Sequence, residues 1–293
     1  MEFGDTMFEK ILVPTDGSEC AEAAIGYAED LAGQYEATVH VLCVVDSRTL
    51  DSAPHLERVK DESTEMVESV CEDLAGSNIP VEDAVRTGIP HQEILQYASQ
   101  QGIDLIAMGT HGRTGIERYL LGSITEKVVR LSDIPVLTVR AEPDGTVTYP
   151  YADILIPTDG SEQAAAAIDV GVDITSNYDA RLHALSVVEP IAMGVDFQSA
   201  DVFELLEEAA QSAVDSVEKK ASQASLSKVE TAVKYGHPYR EIHSYVDAND
   251  IDLVVMGTHG RSGLERYLLG SVTEKVVRTS AVPVLTVRPS NEE

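Results

Sequence analysis

Residues 109–140 read GTHGRTGIERYLLGSITEKVVRLSDIPVLTVR, and residues 257–288 read GTHGRSGLERYLLGSVTEKVVRTSAVPVLTVR. The two stretches differ at 6 of 32 positions, so the chain is read first as a duplication. Each stretch opens on a glycine loop, continues through Gly-Ser into an amphipathic helical run, and closes on a Pro-Val-Leu-Thr-Val strand. A strand precedes the glycines in both copies, and that order of strand, helix and strand belongs to a parallel sheet covered by helices.

Outward from this core the repeat continues. Residues 11–18 read ILVPTDGS and residues 154–161 read ILIPTDGS, at an offset of 143 that grows to 148 by the glycine loops. Five extra residues therefore enter the second copy between its second and third strands, after Glu189. In the first copy, strands are predicted at 10–14, 37–45, 81–86, 103–108 and 134–140. Ala21, Ala24, Ile25, Ala28, Leu31 and Ala32 recur at helical spacing, as do Val67, Val70, Cys71 and Leu74. A third helix follows Pro90, with Ile94, Leu95 and Ala98 inward, and a fourth spans about 124–131. The runs at 103–108 and 134–140 are almost continuously apolar, as strands buried on both faces are. The fold class expected is α/β: two tandem, doubly wound, parallel five-stranded sheets of strand order 3-2-1-4-5, a Rossmann-like architecture. The expected domains are 1–143 and 149–293, joined by a linker at about 141–152, AEPDGTVTYPYA, whose Pro, Gly and Asp punctuate the chain.

A chain of 293 residues is long enough for two such cores. Its 50 acidic and 21 basic residues give a formal charge of −29, a field that disfavours nucleic acid and anionic membrane surfaces as partners. Only 8 of the 21 bases are lysine and Trp is absent. That balance keeps a protein hydrated in concentrated salt, and a halophilic protein is expected. Cys20, Cys43 and Cys71 follow no metal-ligand or CxxC spacing and read as reduced small hydrophobes. No apolar run reaches the roughly 18 residues of a membrane span, and no basic-then-apolar leader opens the chain, so a cytoplasmic location is expected.

Two loops in each copy carry chemistry. The first is Pro14-Thr15-Asp16-Gly17-Ser18, repeated as Pro157-Thr158-Asp159-Gly160-Ser161. A short carboxylate at a strand exit can accept hydrogen bonds from ribose hydroxyls or an adenine amine, or Asp16 or Ser18 can simply cap the next helix. The second loop is Gly109-Thr110-His111-Gly112, nine residues, then Gly122-Ser123, repeated as Gly257-Thr258-His259-Gly260 through Gly270-Ser271. Glycines let backbone N–H groups approach an anion, and the following helix adds its positive end. Ser123 with Glu126, and Ser271 with Glu274, also fit an S-x-x-E capping box. Arg113, Arg118, Lys127 and Arg130 are four of the ten bases in residues 1–146, and Arg261, Arg266, Lys275 and Arg278 repeat them. Arg113 and Arg261 adjoin the glycines and are the candidates for anion contact, whereas Glu126 and Arg130 are spaced for an i,i+4 pair. In the order 3-2-1-4-5, strands one and four meet at a switch point, which brings the two loops face to face.

With these motifs in hand, each copy resembles the ATP-binding branch of the universal stress protein family. The resemblance spans nearly all of both copies and rests on the strand-one Asp, the G-2x-G-9x-G-[ST] pattern and the closing strand; the leading MEFGDT lies outside it. It implies an adenine nucleotide alpha hydrolase-like fold, and one ATP, ADP or AMP per copy with magnesium accompanying the nucleotide. By the same resemblance, Asp16 and Val44 lie at the adenosine end of the site and Gly109, Gly112, Arg113, Gly122 and Ser123 hold the phosphates, with Pro14, Thr15, Met108, Ile124 and Thr125 also in the nucleotide site. In the second copy the corresponding residues are Pro157, Thr158, Asp159, Val187 and Met256, then Gly257, Gly260, Arg261, Gly270, Ser271, Val272 and Thr273. No GxxxxGK[ST] or post-strand GxGxxG occurs, and His111 and His259 have no carboxylate partner evident in sequence, so dedicated catalysis is not expected. His40 and His183 read as hydrogen-bonded core residues. Relatives pair through the closing strand, so an internal pseudo-dimer through 134–140 and 282–288 is expected, with homodimerisation of whole chains compatible with it. The dissimilar segments 47–60 and 190–205 are expected to act as flaps that give the two sites different affinities.

Overall fold

Short β-branched runs alternate with helical runs whose apolar residues recur every three or four positions, and each run buries its apolar side against the next. A computed structural model describes residues 6–49, 53–112, 121–141, 147–189, 200–260 and 269–289. The chain divides into two units, Met1–Val147 and Thr148–Glu293, with the division inside the expected linker.

The first unit runs β1 (Lys10–Thr15), α1 (Glu19–Tyr35), β2 (Thr38–Asp46), α2 (Ala53–Gly76), β3 (Val81–Gly88), α3 (Pro90–Gln101), β4 (Leu105–Gly109), α4 (Ser123–Leu131) and β5 (Val136–Val139). Its strands are parallel and ordered β3-β2-β1-β4-β5. The second unit repeats this as β6 (Asp153–Pro157), α5 (Glu162–Asn177), β7 (Arg181–Val188), α6 (Ala200–Gln223), β8 (Val229–Tyr235), α7 (Pro238–Ala248), β9 (Leu253–Gly257), α8 (Ser271–Thr279) and β10 (Val284–Val287). Its order, β8-β7-β6-β9-β10, is again the expected 3-2-1-4-5. Strands β4 and β9 are buried at every residue, in keeping with their continuous apolar runs.

Several boundaries differ from the sequence expectation for local reasons. The strand expected from 103 begins at Leu105, because the Ile103 N–H closes the end of α3 on the Ala98 carbonyl. The strand expected from 134 begins at Val136, because the Ser132 hydroxyl donates to the Ile134 carbonyl and accepts the Ile134 N–H, which holds a turn there. On α1, Tyr27 and Tyr35 complete the buried face while Ile25 sits half-buried on its shoulder; on α3, Tyr97 is buried in place of Leu95. An aromatic ring reaches the core from a helical position where a branched aliphatic does not. Among the described residues, no helix is long and apolar enough to cross a membrane.

Candidate functional site

In each unit the first and fourth strands are neighbours whose onward connections leave in opposite directions, and this opens a crevice at their carboxyl ends. The loop after the first strand is held by its own side chains. In the second unit Asp159 Oδ1 accepts the Ser161 N–H at 3.0 Å and Thr158 Oγ1 accepts the Gly160 N–H at 3.2 Å. Gly160 has φ 75°, a left-handed conformation that a side chain would strain. Ser161 then caps α5 by accepting the Ala164 N–H at 3.3 Å. The first unit repeats the arrangement with Asp16, Thr15, Gly17 at φ 69° and Ser18. Of the two roles open for this loop, capping falls to Ser18 and Ser161. The carboxylates of Asp16 and Asp159 each keep a second oxygen turned toward the other loop.

That second oxygen faces the glycine loop across the crevice. A Cβ built on Gly112 would collide with Asp16 Oδ2, and one on Gly260 would lie 2.5 Å from Asp159 Oδ2. The first glycines are equally crowded: a Cβ on Gly109 would lie 2.7 Å from the Cys20 backbone carbon, and one on Gly257 2.8 Å from the Gln163 carbonyl oxygen. None of these four has a positive φ, so their glycines serve close approach, not backbone freedom. The two loops thus meet as the strand order requires.

The helices after the loops begin one residue earlier in role than the capping-box reading supposed. Gly122 and Gly270 are the N-caps of α4 and α8, and Ser123 and Ser271 are the first helical residues, without a side-chain cap. The S-x-x-E box is therefore not formed, because a glycine cap has no side chain to fill the helix end. The first-turn N–H groups have no intrahelical acceptor and carry the positive end of the helix dipole. Thr125 Oγ1 donates to the Gly109 carbonyl and Thr273 Oγ1 to the Gly257 carbonyl, each at 2.8 Å and buried, which pins the helix start over the strand end. On α8 the residues equivalent to Glu126 and Arg130 form an i,i+4 pair, Glu274–Arg278, at 2.6 Å.

In the second unit these parts enclose a cavity of about 340 Å³. Pro157, Thr158, Asp159, Val187, Met256, Gly257, Gly260, Gly270, Ser271, Val272 and Thr273 all line it. Of the second-copy residues that the resemblance assigns, only Arg261 is missing from this lining, and Arg261, like Arg113, Arg118 and Arg266, lies outside the described residues. In the first unit Pro14, Thr15, Asp16, Met108, Gly109, Gly112, Gly122, Ser123, Ile124 and Thr125 hold the equivalent places, and Val44 pairs with Arg86 near the end of β2. The expected flap segments fall partly outside the description, at 50–52 and 190–199. Among the described residues, no group of three His, Cys, Asp or Glu side chains is placed to hold a metal ion.

Several cavity residues escaped sequence reasoning. Leu185, Leu206, Ala210, Pro238 and Ile242 form an apolar wall from β7, α6 and α7, and Glu189 stands at the rim with its Oε1 2.9 Å from His237 Nδ1. Leu206 and Ala210 share an i,i+4 helix face, a signal that marks burial but not what is buried against it. His259 also lines the cavity; its Nδ1 lies 3.0 Å from Thr258 Oγ1, and its buried Nε2 has no hydrogen-bond partner among the described residues. Burial, with the Arg288 guanidinium nearby, holds this imidazole below its usual range, so it is neutral at neutral pH. His111 Nδ1 lies 2.8 Å from Thr110 Oγ1, the same intraloop contact. His40 and His183 are buried core residues at 1% exposure, each with Nδ1 3.1 Å from a tyrosine hydroxyl, Tyr97 and Tyr245.

A sequence profile of the universal stress protein family matches residues 7–140 and again 150–288. A universal stress protein of Methanocaldococcus jannaschii is 36% identical over 144 residues, 47% of this chain and 85% of that protein. One of Mycobacterium tuberculosis is 27% identical over 296 residues and covers 96% of this chain and 97% of its own length. The crystal structure of a universal stress protein from Archaeoglobus fulgidus matches with a TM-score of 0.76 over 97% of this chain and 99% of that one; at 22% identity this likeness shows the fold.

Proposed function

The chain belongs to the universal stress protein family, and from that premise we propose that it binds one adenine nucleotide in each unit and acts as a nucleotide-dependent sensor or regulator in the stress response of the cytoplasm. The observation that carries the reading is the second unit's cavity, whose lining contains every described second-copy residue that the family pattern assigns to nucleotide contact. Its size suits a nucleotide, one side is apolar, and the other offers glycine backbone and a helix N-terminus to an anion. ATP, ADP and AMP all fit that chemistry, and magnesium enters with the di- or triphosphate, since the described residues supply no cluster of metal ligands. Binding rather than dedicated catalysis is the role in this reading, since the sequence holds no GxxxxGK[ST] phosphate loop of the kind that dedicated ATPases use.

The test is calorimetric titration of the intact chain with ATP. About two equivalents should bind, about one in Gly112→Val or Gly260→Val, and none in the double variant, with circular dichroism showing all of them folded. Valine at either position would drive into the carboxylate of Asp16 or Asp159 and close the approach between the loops. Full binding by the folded double variant would reject the site. No binding by the parent chain would favour a partner-binding module without nucleotide, and turnover on the order of one per second or faster would make it an ATPase.

A further inference from the structure

The second unit's cavity is lined both by groups suited to an anion and by carboxylates. From β9 and α8 it presents Gly257, Gly260 and Gly270, whose lack of side chains lets an anion approach the backbone, and the first turn of α8, the positive end of a helix. On the β6 and β7 side it presents two carboxylates, Asp159 and Glu189. Asp159 is fixed by the Ser161 N–H on Oδ1. Glu189 contacts a residue just after the neighbouring strand β8: its Oε1 lies 2.9 Å from Nδ1 of His237, the N-cap of α7, and the next residue, Pro238, itself lines the cavity.

The first unit handles the corresponding position differently. Asp46 stands there at the 143-residue offset, one methylene shorter, and it is drawn onto the neighbouring Arg48, whose Nε lies 2.9 Å from Oδ1. Its charge is thereby compensated by a permanent cation from its own loop. Glu189 is paired with an imidazole and remains part of the cavity wall.

We propose that Glu189, acting with Asp159, is a specificity-determining residue of the second site: it admits adenine nucleotides with an unphosphorylated ribose and rejects those carrying a phosphate on the 2′ or 3′ hydroxyl. The inference rests on the nucleotide reading above. Once the 5′-phosphates occupy the glycine loops, the sugar is turned to the side that holds the carboxylates. Free ribose hydroxyls donate hydrogen bonds to carboxylate oxygens, whereas a sugar phosphate would bring a second dianion against two like charges in a partly desolvated wall.

The experiment compares AMP with adenosine 3′,5′-bisphosphate, which differ only in the 3′-phosphate, by calorimetry on the intact chain, its Glu189→Gln and Glu189→Asp variants, and the same set in a Gly112→Val background that reports the second site alone. The parent second site should bind AMP at least about tenfold more tightly than the bisphosphate. Glu189→Gln, which keeps an acceptor but removes the charge, should erase most of that gap by tightening the bisphosphate, while Glu189→Asp should retain it. Equal binding of both ligands by the parent, or an equal change for both in Glu189→Gln, would overturn the proposal and leave the nucleotide reading intact. Failure of the parent to bind either ligand would overturn the nucleotide reading and the proposal with it. If Glu189→Gln does not fold, the parent's discrimination and that of Glu189→Asp still decide.

Discussion

His40 and His183 occupy the same place in the two copies and meet opposite charges. His183 Nε2 lies 2.9 Å from Asp153 Oδ1, which also takes Arg181 Nε at 3.2 Å. At the position of Asp153 the first copy has Lys10, and the buried His40 Nε2 has no hydrogen-bond partner among the described residues. Burial pushes the His40 imidazole below its ordinary 6.5, the exposed Glu82 carboxylate opposes that shift, and Lys10 adds to it. A folded pKa below the unfolded one means that the unfolded chain takes up the proton first. The first unit should therefore lose stability as pH falls below about 6.5, by at most about 1.4 kcal/mol per pH unit, until His40 itself is protonated. Urea unfolding between pH 8 and pH 5 checks this, and Lys10→Asp should flatten the slope by giving Nε2 the acceptor that His183 has. An identical slope in the variant would show that His40 is not the group responsible. Sequence spacing identified both histidines as core residues, but not this difference, because residues 10 and 40 come together only through the pairing of β1 with β2.

At the scale of elements, the candidate site depends on how α4 and α8 are fastened to the strands before them. The Gly122 N–H donates to the Thr110 carbonyl and the Thr110 N–H to the Val139 carbonyl, each at 2.8 Å, and the threonine hydroxyl of the first helical turn closes the set. In the second unit the same bonds join Gly270 to Thr258, Thr258 to Val287, and Thr273 to Gly257. Thr273→Val keeps the shape but leaves the buried Gly257 carbonyl unpaired, at a cost of about 1–3 kcal/mol. Chemical denaturation should register that loss in the second unit, and nucleotide titration should show its site weakened with the first unchanged. Binding at full strength in a destabilised Thr273→Val chain would mean that the helix start does not need this tether to meet the anion. The hydroxyl protons of Thr125 and Thr273 go to the strand ends, so these residues also position the loop that they line.

The whole molecule carries a formal charge of −29, and among the described residues several cations are paired with acids, as in Arg48–Asp46, Arg181–Asp153 and Lys220–Asp169. Uncompensated acids repel one another across the surface, and salt shortens that repulsion to about 3 Å at 1 M. Thermal unfolding should therefore shift upward between low and molar salt, the behaviour of the halophilic protein expected from composition. A midpoint independent of salt over that range would refute it.

The sequence by itself determined the duplication, the alternation of strands and helices and the two loops of each copy, because these follow from signals local to the chain: a repeat, a change of periodicity, and glycines at a fixed spacing. Even the right partner for each loop was legible, since a parallel order of 3-2-1-4-5 brings the first and fourth strand ends together. Only the tertiary structure decided that Gly122 and not Ser123 caps the helix, and that Asp16 turns one oxygen back on its own loop and the other toward Gly112. It also decided that the wall of the second cavity is built by Leu206, Ala210, Pro238 and Ile242, with Glu189 and His237 at its rim. Those residues come from separate strands and helices, and nothing in one-dimensional spacing reports which side chains from distant elements will face the same empty volume.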